Sequence, residues 1–216
     1  MALTTHWEWR GFGRVSAAFR KRFLELECIF DDATPRPFTD EYLWIPEVDV
    51  NLKFRKGTQT QDGLKFKRFH ERRGDLEKWT ESREEIFPFP LCSNAWELLR
   101  REMDAAFNPP LNADREEAVR FLKSVDPEIT TFTLQKERQS RTWGHDGKVK
   151  VEIAEVFTPK RTTTIGLEVW DPMRRFDDSG CLGLLERALK DLRVRDEAVE
   201  VMNYLEFIRG CALVRS

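Results

Sequence analysis

The chain of 216 residues carries 36 Lys and Arg against 38 Asp and Glu, which gives a formal net charge of −2. This balance excludes a protein that coats nucleic acid, because such a protein needs a clear excess of basic residues. With 40 % apolar and 34 % charged residues, the composition predicts a soluble, folded chain with a single domain over residues 1–216.

The cysteine spacing and the absence of long apolar runs indicate the compartment. Cys28, Cys92, Cys181 and Cys211 are widely separated and include no C-x-x-C pair, which favours reduced thiols over a zinc ribbon or a thioredoxin-like motif. The first residues lack the basic segment and apolar stretch of a signal peptide. No apolar run approaches the roughly 20 residues that span a bilayer. We therefore expect a cytoplasmic protein that binds no membrane.

The first half of the chain is predicted to hold one helix and several strands. An alternating strand at residues 6–10 ends at the glycines that follow, and apolar residues at three- and four-residue spacing predict a helix at 15–26. Strands follow at 41–45, 50–56 and 64–69, with a turn at 57–63 between the last two. A further strand is predicted within residues 75–87, before two prolines.

The second half repeats the coarse pattern of helices and strands. Asn94 is predicted to cap a helix at 96–103, and Asp114 to open a helix at 115–124. Strands are predicted at 129–141, 148–157 and 162–170, with a turn at 144–147, and helices at 181–192 and 196–208. The elements together predict an α+β fold in which five amphipathic helices lie against an antiparallel sheet.

The strands sort charged from apolar side chains, because residues two apart on a strand share a face. On the first strand His6, Glu8 and Arg10 share one face and Trp7 and Trp9 the other. The same alternation groups other charged side chains: Lys53 with Arg55, Lys65 with Lys67, Lys136 with Arg138, and Lys150 with Glu152. In an ordinary half-buried sheet these charges face water. Alternatively, the helices cover the apolar faces and the sheet closes into a barrel with a charged interior.

A basic interior needs counter-charge, because burying unpaired charges costs several kcal/mol each. Phosphate groups present many acceptor oxygens to guanidinium and ammonium groups. Glutamates in the same interior could hold Mg²⁺ or Mn²⁺ beside the phosphates. The residues therefore predict a small polyanionic ligand rich in phosphate oxygens and no nucleic acid; they indicate no oligomeric state.

These strand motifs resemble those of the CYTH superfamily, the triphosphate tunnel metalloenzymes, over roughly residues 5–192. His6-Trp7-Glu8-Trp9-Arg10 stands where the family has E-x-E-x-K and keeps only the central Glu. Further matches are Lys53-Phe54-Arg55 to R-x-R, Leu64-Lys65-Phe66-Lys67 to L-T-x-K, Lys136-Glu137-Arg138 to K-x-R, Val151-Glu152-Ile153-Ala154-Glu155-Val156 to V-E-L-D-x-V and Gly166-Leu167-Glu168-Val169 to G-x-x-x-E-I-E. The resemblance implies an eight-stranded antiparallel β-barrel, a tunnel with flanking helices.

The resemblance also implies roles for individual residues. Glu8 and Glu168 would be catalytic and, with Glu152, would hold Mg²⁺ or Mn²⁺. Phosphate would be bound by Arg10, Lys53, Arg55, Lys65, Lys67, Lys136, Arg138 and Lys150. At the position of the first family Glu, His6 could ligate Mn²⁺ but suits Mg²⁺ poorly; its other interpretation is a structural hydrogen bond.

Three functions are consistent with these residues. The first is a metal-dependent phosphohydrolase acting on inorganic triphosphate or a small organic triphosphate. The alternative is a non-catalytic CYTH-like protein that binds a phosphorylated or other polyanionic small molecule. A third is a helper protein that acts through its outer helices.

Overall fold

The computed structural model describes residues 4–28, 34–45, 50–57, 60–81, 87–110, 112–144, 149–169 and 176–213. The strands in these residues are β1 (Thr4–Arg14), β2 (Arg36–Trp44), β3 (Val50–Gly57), β4 (Thr60–Arg73), β5 (Leu76–Glu81), β6 (Phe87–Pro88), β7 (Thr130–Trp143), β8 (Val149–Thr158), β9 (Thr162–Val169) and β10 (Ala198–Val201). The helices are α1 (Ala17–Leu24), α2 (Ser93–Met103), α3 (Arg115–Val125), α4 (Asp178–Asp191) and α5 (Tyr204–Leu213). Most of the predicted turn at 144–147 and the last residue of the strand at 162–170 lie outside the described residues.

The strands form one sheet in the order β10-β1-β5-β4-β3-β2-β7-β8-β9, with β6 beside β4. Because β1 pairs with β9 as well as with β5, eight of these strands close into an antiparallel barrel. The predicted α+β fold with an eight-stranded antiparallel barrel is thus confirmed.

The chain divides into two compact units. Unit 1 comprises Met1–Thr4, Phe38–Phe69 and Thr80–Leu134, and unit 2 comprises Thr5–Pro37, His70–Trp79 and Gln135–Ser216. That residues 1–216 form a single domain stays a prediction. None of the helices in the described ranges is long and apolar enough to cross a membrane. The cysteines form no disulfide within that part of the chain.

Both faces of β1 are buried in unit 2. Trp7 and Trp9 are each 1 % exposed and pack in a hydrophobic core with Phe19 of α1 and residues of α4, β8 and β9. On the other face His6 and Glu8 are also buried. The charged face of β1 therefore does not turn to water, as it would in an ordinary half-buried sheet.

Unit 1 has its own core, built on β3 and β4. Leu52 and Phe54 of β3 lie with Phe66 of β4 and with side chains from α2 and α3. On the opposite face of β3, the side chains of Lys53 and Arg55 are only 12 % and 10 % exposed. In this unit too, the alternation of the sequence separates an apolar core from a largely buried charged face.

The first strand runs past its predicted end at residue 10. Gly11 and Gly13 lie inside β1, where they pair with Val201 and Val199 of β10. A Cβ on Gly13 would lie 2.2 Å from the carbonyl oxygen of Ala198. The glycines therefore allow close approach of a neighbouring strand rather than ending β1.

This close approach predicts the effect of a single methyl group. We expect Gly13→Ala to lower the free energy of unfolding by about 1 to 3 kcal/mol, because the β10 backbone must move to admit the methyl. Urea denaturation measures the change. Gly210→Ala is the control: it lies in α5 with no atom near its added Cβ, and it should be neutral or stabilise by up to about 1 kcal/mol. Equal stability of Gly13→Ala and the wild type would contradict the packing argument.

Two helix predictions need correction and a third is confirmed. The N-cap residue of α2 is Cys92, so Asn94 lies within the helix. The predicted helix at 196–208 is wrong in its first half, where the alternating valines of β10 favour a strand. At α3, the Asp114 carboxylate accepts a hydrogen bond from the backbone N–H of Glu117, and the Glu117 carboxylate accepts one from the backbone N–H of Asp114. This capping box begins the helix as predicted.

Candidate functional site

In unit 2 the strand register brings charged residues side by side. Glu8 of β1 is the register partner of Glu168 of β9, and Glu168 is in turn the partner of Lys150 of β8. Arg10 of β1 and Glu152 of β8 are both partners of Gly166, which lies between them on β9. Five residues predicted for the site thus occupy two adjacent rows of the sheet.

Because Gly166 has no side chain, the side chain of Arg10 can cross β9 at this position. A Cβ on Gly166 would lie within 3 Å of the Arg10 guanidinium. That guanidinium reaches Glu152, with 3.0 Å between Nη1 and Oε1, and lies 3.3 Å from the Thr164 hydroxyl. The other carboxylate oxygen of Glu152 lies 3.7 Å from Nη1 of Arg138. Glu152 is therefore held between two guanidinium groups.

The charges around Glu152 are mostly positive. Burial would raise the pKa of this carboxyl group, but four neighbouring cations outweigh burial and hold the pKa well below its usual range. They are Arg10, Lys136, Arg138 and Lys150. For Arg10, burial would lower the pKa, and the Tyr204, Glu152 and Glu8 side chains more than offset it and raise the pKa above its usual value. Glu152 and Arg10 therefore keep their opposite charges at neutral pH, and we call Glu152 and its four neighbouring cations the Glu152 cluster.

Tyr204 of α5 joins this cluster, and sequence reasoning missed it. Its hydroxyl lies 2.9 Å from Nζ of Lys136. Its ring lies 4.2 Å from the same Nζ and 4.6 Å from the Arg10 guanidinium carbon, within the range of a cation–π contact. Nothing near Tyr204 in the sequence signals this contact, since it depends on how α5 follows β10.

His6, Glu8 and Glu168 form a second group beside the first. Nε2 of His6 lies 3.4 Å from Oε2 of Glu8 and 3.8 Å from Oε1 of Glu168, and the candidate ligand atoms all lie within 4.8 Å of one another. His6 is 3 % exposed, yet neither ring nitrogen makes a hydrogen bond to any described residue. The structural hydrogen bond expected for His6 is therefore not found among the described residues. We call these three residues the His6 group.

Glu152 lies outside the group that the other two predicted metal ligands, Glu8 and Glu168, form with His6. Its carboxylate is paired with Arg10 and Arg138, whereas the His6 group consists of Glu8, Glu168 and the histidine. A role for Glu152 as a metal ligand stays a prediction, and its ion pairs compete with such a role.

An open cavity of about 400 Å³ adjoins the His6 group. Its lining includes Thr5, His6, His70 and Cys181, together with an ion pair between Lys78 and Asp178. His6 lines this cavity, although its two ring nitrogens are buried.

Unit 1 contains the other predicted phosphate-binding residues. Asp40 is fully buried and accepts two hydrogen bonds from Arg55, at 2.8 and 3.0 Å. Nζ of Lys53 lies 3.4 Å from the same carboxylate and 3.2 Å from the Tyr42 hydroxyl. The register pairs Lys53 with Lys65 of β4, whose Nζ lies 3.6 Å from Glu81. Lys67 follows two residues later on the same strand.

Burial and like charges act together on Lys53. Burial lowers the pKa of its ammonium group, and Arg55, Lys65 and Lys67 lower it further. The attraction of Asp40 opposes them only in part, so the pKa falls to about 7. Lys53 is thus a cation whose charge changes near neutral pH.

Comparison with known proteins yields solved structures alone. No family model matches the chain, and no curated protein matches its sequence. A hypothetical protein from Pyrococcus furiosus shares 16 % identity at a TM-score of 0.56, over 94 % of this chain and 99 % of that one.

Two further solved structures that resemble this chain are of candidate adenylate cyclases. A candidate adenylate cyclase from Bacillus halodurans shares 16 % identity at a TM-score of 0.51, over 95 % of this chain and 98 % of its own. A candidate adenylyl cyclase from Hippeastrum, with a dominant triphosphatase activity, shares 13 % identity at a TM-score of 0.55, over 95 % of both chains. At these identities the likeness establishes the fold alone, and at that level it confirms the predicted resemblance to the CYTH superfamily.

Proposed function

We propose that this protein is a metal-dependent phosphohydrolase that acts on inorganic triphosphate or a small organic triphosphate. The observation that carries the proposal is the Glu152 cluster, where four cations outnumber the carboxylates of Glu152, Glu8 and Glu168 that lie beside them. Burying such an excess is costly unless counter-charge is supplied. A chain of phosphate groups supplies several negative charges and many acceptor oxygens within a small volume.

In unit 2, different residues are proposed to bind the phosphate groups and the metal ion. Arg10, Lys136, Arg138 and Lys150 bind phosphate oxygens and stabilise the charge that develops on them during phosphoryl transfer. The planar guanidinium groups suit bidentate contacts, and the lysines act as point charges. Lys53, Arg55, Lys65 and Lys67 are proposed as the phosphate-binding residues of unit 1.

The donor set of the His6 group fits a divalent cation. It combines one imidazole without hydrogen-bond partners among the described residues and two carboxylates, all close together. When bound, such an ion polarises a phosphoryl group and lowers the pKa of a coordinated water. Glu8 and Glu168 are proposed as the catalytic residues because they would hold the ion and orient that water.

Release of phosphate from tripolyphosphate in the presence of Mn²⁺ tests this function. We expect Glu8→Gln and Glu168→Gln each to lower the rate by about 100-fold or more, because each removes a ligand and a negative charge from the group. Glu25→Gln is the control, since that glutamate lies on the surface with a side chain 64 % exposed. Circular dichroism shows whether each variant folds. Hydrolysis that persists unchanged in both folded variants would contradict the proposal.

A non-catalytic binding protein is the second candidate, and one observation favours it. Tyr204 lies against Arg10 and Lys136, where it covers two of the four cations that a substrate would contact. In this case tripolyphosphate raises the melting temperature by mass action, and no phosphate is released. The same incubation therefore distinguishes the two candidates.

A further inference from the structure

His6 is a buried histidine without hydrogen-bond partners among the described residues. Buried polar side chains are hydrogen-bonded in the great majority of cases, and an orphaned one has a specific explanation. Both ring nitrogens of His6 make no hydrogen bond to the described residues, although the side chain is almost fully buried. Nearby carboxylates of Glu8 and Glu168 can only accept hydrogen bonds or bind a cation.

The spacing of the His6 group suits a small ion. Ligand atoms about 2.1 Å from a divalent metal lie about 3.0 to 3.4 Å from one another. The separations from Nε2 of His6 to the carboxylates of Glu8 and Glu168 are 3.4 and 3.8 Å. Of these two separations, only the one to Glu168 exceeds that range, and the Glu168 side chain is 24 % exposed and therefore has room to move.

We propose that the His6 group binds a transition-metal ion that takes nitrogen ligands, such as Zn²⁺ or Co²⁺, in preference to Mg²⁺. This inference rests on the metal site of the proposed function and adds the identity of the ion. Imidazole nitrogen suits Zn²⁺ and its neighbours in the first transition row, whereas Mg²⁺ prefers oxygen ligands alone. One imidazole in place of a carboxylate also removes a negative charge, which weakens the attraction for a hard cation most.

One member of the His6 group borders an open cavity, although its ring nitrogens are buried. His6 lines the cavity of about 400 Å³, which is open to solvent. The same cavity carries His70 and Cys181, two other side chains that bind Zn²⁺ in proteins. Any test must therefore separate these residues from His6.

The experiment is a calorimetric titration of the metal-free protein with Zn²⁺, Mn²⁺ and Mg²⁺, without any phosphate compound. We expect Zn²⁺ to bind about 100-fold more tightly than Mg²⁺, with Mn²⁺ between them. His6→Gln should weaken Zn²⁺ binding about tenfold or more and leave Mg²⁺ binding within about threefold. His6→Glu, which supplies a third carboxylate, should strengthen Mg²⁺ binding and narrow the difference between the ions. His70→Gln and Cys181→Ser are the matched controls and should leave all three affinities unchanged.

A spectroscopic measurement on the wild type makes the test independent of how the variants fold. Pulsed electron paramagnetic resonance of the Mn²⁺-loaded protein should show coupling to one imidazole nitrogen. His6→Gln should lack this coupling. Equal affinities for Zn²⁺ and Mg²⁺, or Mn²⁺ without a nitrogen ligand, would overturn the proposal. So would the absence of any metal binding.

The outcomes separate this inference from the proposed function. Tight Zn²⁺ binding through His6 without hydrolysis of tripolyphosphate supports the site and contradicts the hydrolase. Hydrolysis that runs equally well with Mg²⁺, in the wild type and in His6→Gln, supports the hydrolase and contradicts the selectivity.

Discussion

Replacing Glu152 by Gln should tighten the binding of tripolyphosphate about tenfold, equivalent to about 1.4 kcal/mol. The carboxylate of Glu152 competes with any anion for Arg10 and Arg138, to which it is already paired. The amide removes the negative charge and keeps nearly the same shape, so both guanidinium groups become available to phosphate oxygens. Isothermal titration calorimetry of the wild type and the variant measures the change.

The same substitution should destabilise the ligand-free protein. The Glu152 pKa is depressed in the folded state, so its ionised form stabilises the fold above the usual carboxyl pKa of about 4.5. That stabilisation is lost as the pH falls through the folded-state pKa. We therefore expect Glu152→Gln to melt below the wild type at pH 7, and the difference to shrink in strong acid. Saturating tripolyphosphate should restore much of the loss, because the anion replaces the missing charge.

Glu155→Gln is the matched control for this pair of effects. Glu155 lies three residues further along β8, where its partly exposed carboxylate pairs with Arg20 of α1. Its removal should leave the affinity for tripolyphosphate unchanged. If Glu152 were instead a metal ligand, as the family resemblance implies, Glu152→Gln would weaken Mn²⁺ binding. Weaker anion binding in this variant would contradict our assignment of the Glu152 cluster.

The charged faces were predictable because strand alternation is a local property. A strand places residues two apart on one face whatever the rest of the chain does. Lys53 with Arg55, and Glu8 opposite Trp7 and Trp9, therefore follow from a few neighbouring letters. Burial of both faces needed one further condition, helices over the apolar face, and the helical spacing of the sequence predicted these as well.

The pairings between strands were not predictable in the same way. Arg10 reaches Glu152 only because β9 lies between β1 and β8 and carries Gly166 in the matching register. No local sequence pattern determines the order of the strands or their register. The contact of Tyr204 with Lys136 likewise depends on β10, a strand that resembled the start of a helix in the sequence. That His6 has no hydrogen-bond partner among the described residues was unpredictable for the same reason, because such partners depend on the fold.

Lys53→Met should stabilise the protein more at pH 6 than at pH 9. The pKa of this lysine is about 7 in the folded protein and 10.5 in its ordinary environment. Between these values the unfolded chain holds a proton that the folded chain does not, so the free energy of unfolding rises with pH in this window. Below pH 7 the folded protein must bury the charge. We expect the advantage of the methionine variant to shrink by about 2 kcal/mol between pH 7 and pH 9.

Chemical denaturation across this pH range measures the effect, and Lys21→Met provides the reference. The Lys21 side chain on α1 is 80 % exposed, so its variant should follow the wild type at every pH. The comparison also tests the phosphate-binding role of Lys53. A bound phosphate favours the charged ammonium, so the tripolyphosphate affinity of the wild type should fall from pH 6 to pH 8 by more than that of Lys53→Met. Because the titration of the anion itself is common to both proteins, a parallel fall would mean that Lys53 does not contact phosphate.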